Sequence, residues 1–104
     1  MSDYLHVENL IEHPPLDERG IQSRTLQDTD QFRLVLFTFG PGKGLKSHST
    51  PHPVTLTFLQ GAARVTVGSG EVHVSQGALL SLPPSLEHSI QAATELVMFL
   101  TMIK

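Results

Sequence analysis

The sequence predicts an all-β domain, a sandwich or barrel of short strands. Two observations carry that expectation. Runs rich in β-branched and aromatic residues recur at intervals of roughly eight to twelve residues. Gly or Pro stands between successive runs, where the chain must reverse. The one stretch with a helical start, 9–20 ("NLIEHPPLDERG"), is cut short by Pro14 and Pro15, because proline inside a helix removes a hydrogen bond and clashes with the preceding turn.

The elements follow in order. Residues 32–39 ("FRLVLFTF") are apolar on both faces, as a strand inside a packed sandwich is. The "GPGKG" run (40–44) ends that strand. It lacks the spacing of a phosphate loop and leads into no helix. Residues 54–59 alternate Val54, Leu56 and Phe58 with Thr55 and Thr57, which turns one face inward. Residues 63–67 alternate again, "GSG" (68–70) signals a hairpin, and 71–74 return. A short run at 78–82 stops at Pro83-Pro84, and 88–92 and 95–103 close the chain. Phe32, Phe37, Phe39, Phe58 and Phe99 are read as core. No linker or repeat divides the chain. Residues 1–31 are read as an N-terminal segment with edge strands and dimer contacts, and 32–104 as the barrel, within one domain.

Composition narrows the function. The chain has 104 residues, enough for one core without disulfides, and no cysteine to form them. Charged residues are 16% and hydrophobic ones 39%, a balance that folds rather than staying disordered. The net charge is −3, and no Lys/Arg run offers a nucleic-acid footprint. No apolar run reaches the length of a membrane span, and the N-terminus lacks a signal-peptide pattern. A cytoplasmic protein that binds neither nucleic acid nor membrane is expected.

Six histidines are many for this length. After Gly42, five residues intervene before His48, and Gly61 follows thirteen residues beyond that histidine. After Gly77, five residues intervene before Pro83, and His88 lies five further on. These positions match G-x5-H-x-H-x3,4-E-x6-G and G-x5-P-x-G-x2-H-x3-N. The chain here resembles a small single-domain cupin. The resemblance implies a double-stranded β-helix, a jelly-roll barrel, and a homodimer. It also places His48 and His88 at two of the four metal-ligand positions of that family. Thr50 stands where the second His would be and Val54 where the Glu would be. Ser85 and Ala92 replace the Gly and Asn of the second motif.

His52 is an extra histidine, outside that register. It lies between Pro51 and Pro53, and Pro53 steers it away from helical geometry. Were 48–52 extended, its ring would lie about 13 Å from that of His48. A turn at "HSTPHP" would bring them together, and Ser, Thr and Pro favour one. His48, His52 and His88 are therefore the candidate metal ligands, with His88 expected from the facing sheet. Thr50, Val54, Leu56 and Phe58 are the candidate pocket lining. Three imidazoles suit a divalent transition metal (Zn, Ni, Fe, Cu or Mn). The same histidines also suit a metal-free pocket, and both readings stand. His73, between Val72 and Val74, belongs on the outer face, and His6 and His13 in solvent. Glu87 adjoins His88 but points oppositely along a strand, and no Ser–His–Asp arrangement is found. The expected function is small-molecule binding in a histidine-lined barrel, with or without one metal. The sequence does not choose between a catalyst and a binding or sensor module, nor does it name the ligand.

Overall fold

A computed structural model describes residues 3–11 and 19–104. Among these residues the regular structure is nine strands: β1 (Ile21–Asp28), β2 (Phe32–Phe39), β3 (Gly44–His48), β4 (Val54–Gln60), β5 (Ala62–Val67), β6 (Gly70–Ser75), β7 (Leu79–Leu82), β8 (His88–Ala92) and β9 (Leu96–Ile103). They build two antiparallel sheets, ordered β1-β2-β9-β4-β7 and β3-β8-β5-β6. Apart from the β1–β2 and β5–β6 hairpins, chain neighbours alternate between the sheets. That interleaving is the jelly roll the sequence led us to expect. No helix among the described residues is long and apolar enough to cross a membrane.

The core lies between the inner faces. Phe39, Val54, Leu56, Phe58, Leu96 and Met98 of the larger sheet meet Val65, Val74, Ile90 and Ala92 of the smaller. The alternation in β4 does what its pattern predicts: Val54, Leu56 and Phe58 are buried, while Thr55 and Thr57 are half-buried. Each such large apolar side chain contributes on the order of 1.5–3 kcal/mol by leaving water. The Phe37 and Phe39 rings stack with centroids 5.7 Å apart.

β2 and β9 are apolar on both faces, as their sequences indicate. Leu36 and Val97 are buried, yet they stand outside the core cluster, on the sheet's other side. β3 was not legible, because it follows a glycine-rich break and is largely polar and exposed. β1 forms the edge of the five-stranded sheet and carries a bulge between Thr25 and Gln27. At the turn around Leu10, the Ile11 amide donates to Asn9 Oδ1 at 3.1 Å. The rest of the expected helical turn, and His13, lie outside the described residues.

Gly61 joins β4 to β5 at φ 90°, and a Cβ there would sit 2.0 Å from the Glu95 carbonyl oxygen. Both the backbone angle and the close approach require glycine.

Candidate functional site

β3 and β8 are neighbours in the four-stranded sheet, and His48 stands opposite His88 in their register. This corrects the expectation that His88 comes from the facing sheet. A bulge sets the arrangement. Leu45 pairs with Ile90 and His48 with His88, so Lys46 and Ser47 together face Ser89. In an unbroken strand, residues three apart point to opposite faces. The extra residue restores the phase, so Leu45 packs on the core and His48 shares the face of His88.

The two rings lie 4.5 Å apart between centroids, with planes at 57°. His88 is 3% exposed and His48 is exposed, so the pair runs from the interior out to the barrel mouth. Val67 stands beside His88 in the β5–β8 register. Each ring is tied to its own chain. His48 Nδ1 lies 2.7 Å from the Lys46 carbonyl oxygen, and His88 Nδ1 lies 2.9 Å from that of Leu86. A carbonyl oxygen only accepts, so in both rings Nδ1 donates.

The loops flanking the pair are tied together. The Ser85 amide donates to the Thr50 carbonyl oxygen at 2.7 Å. Ser85 holds φ 67°, the left-handed region that glycine occupies at this point of the cupin motif. The turn expected at "HSTPHP" is present: the His52 amide donates to Thr50 Oγ1 at 3.3 Å. It does not complete a metal set. Among the described residues no three His, Asp or Glu side chains are grouped so as to hold an ion. His52 does not join His48 and His88 in a three-ligand group among the described residues.

Two imidazoles remain. Braced by backbone carbonyls, they have the chemistry that transition metals seek. A resident ion takes three or four protein donors, and no carboxylate joins these two. They do not fit a resident metal. Glu87 is exposed, and its carboxylate accepts from Ser47 Oγ at 2.8 Å.

Of the expected pocket lining, Leu56 and Phe58 have no exposed surface and Val54 has 2%. Core side chains enclose all three, so they present nothing to a ligand. Thr50 is half-buried beside the pair's loop. The sequence reading missed a concavity of about 420 Å³ on the outer side of the four-stranded sheet, lined by Gly42, Ala62, Arg64, His73, Gln91 and Ala93 among others. Arg64 donates to Gln91 there and lies 3.3 Å from Glu71, and His73 lies 3.5 Å from the same carboxylate. Only the cross-strand register of Gln91, Arg64 and His73 reveals that row, and the sequence does not print register.

Comparisons with known proteins agree with this architecture. No curated protein matches the chain. An RmlC-like cupin from Desulfovibrio desulfuricans is 24% identical, with a TM-score of 0.85 over 96% of this chain and 97% of that one. A conserved protein of unknown function from Streptococcus pyogenes is 24% identical, with a TM-score of 0.80 over 99% and 96%. KdgF from Halomonas sp. is 20% identical, with a TM-score of 0.80 over 99% and 96%. At these identities the likeness is one of fold. The sequence model of the cupin domain matches residues 35–104, from mid-β2 to the end of β9, and the chain belongs to that family.

Proposed function

We propose that this cupin is a small-molecule-binding module without a resident metal, and that its ligand docks on the His48–His88 pair. One observation carries the reading. His88 is buried, yet its Nε2 has no hydrogen-bond partner among the described residues and is not an enclosed orphan atom. The large majority of buried side-chain polar atoms have a partner in the protein or in ordered water. Here one nitrogen is left facing the mouth, beside a second imidazole. No carboxylate or third histidine joins the pair, which supports binding over metal-assisted turnover.

The test is metal content and thermal shift on protein purified without a nickel column. A ligand at one hundred times its dissociation constant stabilises by about 2.7 kcal/mol. Each kcal/mol moves the melting temperature of a domain this size by roughly 4–8 °C. A resident-type metal would therefore raise it by about 10 °C or more. Metal-free protein with no such rise for Zn, Ni, Fe, Cu or Mn at pH 7.5 is the expected result. A large rise that His48→Ala abolishes would return the site to metal binding.

We also propose that the module works as a cytoplasmic homodimer. The apolar residues on the outer face of the five-stranded sheet support the assembly.

A further inference from the structure

The edge of a sheet is a row of unpaired N–H and C=O groups, and folded proteins blunt it. Among the described residues β1, β7, β3 and β6 end the two sheets. β1 and β3 each carry a bulge. β7 has four residues and runs into Pro83-Pro84. β6 has none of these defences. Its register with β5 is unbroken from Gly70 to Ser75, it holds no proline, and every residue but Val74 is exposed.

The β5–β6 hairpin fixes which backbone groups of β6 stay open. Gly68 and Ser69 alone join Val67 to Gly70, with Gly68 at φ 59°, the place glycine takes in a type II′ turn. In such a hairpin the residues flanking the turn exchange both backbone bonds, and bonded pairs alternate along the ladder. Gly70, Val72 and Val74 therefore bond to β5, and the N–H and C=O of Glu71 and His73 point off the free edge. Among the described residues no turn or loop hydrogen bond reaches those groups.

We infer that β6 pairs antiparallel with β6 of a second copy about a two-fold axis at Val72, with Glu71 of each copy opposite His73 of the other. Backbone phase allows only registers that set open residues against open residues. Moved one step either way, the pairing sets Glu71 against Glu71 or His73 against His73. The first apposes two carboxylates, which is destabilising. The second sets Glu71 against Ser75, whose carbonyl already accepts from the Ala78 amide at 3.0 Å. The register at Val72 gives each carboxylate an imidazole, and it covers Val72, which is 37% exposed, with its own copy. The Glu71 carboxylate already lies 3.5 Å from the imidazole of its own chain and 3.3 Å from Arg64 on the same face. This edge is distinct from the apolar face of the five-stranded sheet. It is also far smaller than a stable interface, so it associates at about 0.1–1 mM and is silent at micromolar concentration.

The test uses the whole chain carrying Leu79→Asp and Ile103→Asp, which removes the other apolar contact. The chain has no cysteine, so single-cysteine variants at exposed positions report the edge directly. At submillimolar concentration under oxidised glutathione, Val72→Cys is expected to cross-link into a dimer at least tenfold faster than Ser47→Cys on the bulged β3 edge. Glu71→Cys and His73→Cys cross-link at least tenfold faster when mixed than apart. In sedimentation, mass rises with concentration, His73→Glu abolishes the rise, and His73→Glu combined with Glu71→His, which exchanges the two partners, restores it. Val72→Cys no faster than Ser47→Cys overturns the pairing. Glu71→Cys cross-linking fastest with itself overturns the register. A mass independent of concentration, a His73→Glu chain that still associates, or an exchanged pair that does not restore association overturns the inference as well.

Discussion

Ser85 is the one described residue other than glycine with a positive φ, and it lies in the loop that leads into His88. Left-handed backbone costs an ordinary residue roughly 1–2 kcal/mol, part of which glycine would lose again through its freer unfolded state. Ser85→Gly should therefore stabilise by about 0.5–1 kcal/mol, a rise of a few degrees by calorimetry. No change or a fall would mean that the serine side chain offsets its own strain. Asp28 offers a pH test. Its carboxyl is held below the ordinary value first by the hydrogen bond from Lys104 Nζ (2.5 Å) and, against desolvation, by the charges of Lys104 and Arg33. A depressed carboxyl contributes stability above its unfolded value and loses it as pH falls through the folded one. The melting-temperature gap between wild type and Asp28→Asn should be small near neutrality, because the pair is exposed, and should close as pH drops below 3.8. A gap that widens in acid would refute the assignment. At this scale His48 and His88 were legible, because motif spacing marks them. His52 was not, because a turn's shape depends on Thr50 and two prolines acting together.

Strands that bury a face announce themselves, and β4, β5, β8 and β9 were read nearly to the residue. β3 buries little beyond Leu45, so its sequence carries no alternation to read. Its pairing with β8 was also hidden. Register comes from the partner and the bulge, and neither is written in the strand's own residues. The glycines let backbone strain be separated from steric contact. Gly61 and Gly77 have nearly equal φ, 90° and 92°, but a Cβ meets backbone at Gly61 and open space at Gly77. Gly61→Ala should cost at least about 2 kcal/mol, a fall of roughly 10 °C or more. Gly77→Ala should cost about half as much. Equal losses in thermal melts would show that the contact with Glu95 is relieved at little cost.

The whole barrel was legible as a class, and its second apolar surface was legible as a two-faced pattern in β2 and β9. On the outer side of the five-stranded sheet, Leu79 is 63% exposed and Ile103 47% exposed, in register with half-buried Phe32 and Phe99 through β4 and β9. A surface of that kind calls for cover. Light scattering at micromolar concentration should give twice 11.4 kDa, and Leu79→Asp with Ile103→Asp should give the single mass. A wild-type monomer would refute the dimer. The position of β9 bears on how the barrel is made. It lies between β2 and β4, its Ile103 amide donates to Pro53 at 3.0 Å, and the Lys104 amide donates to Gln31 at 2.9 Å. During synthesis, at about 5–20 residues per second, it is the last of the nine strands to leave the ribosome. Until then β1–β2 and β4–β7 share no neighbour, and two apolar strand edges stay open. The nascent chain therefore cannot lock in its larger sheet piece by piece. It closes in one late step, and a ribosome stalled before residue 96 holds an unfinished, aggregation-prone half-barrel.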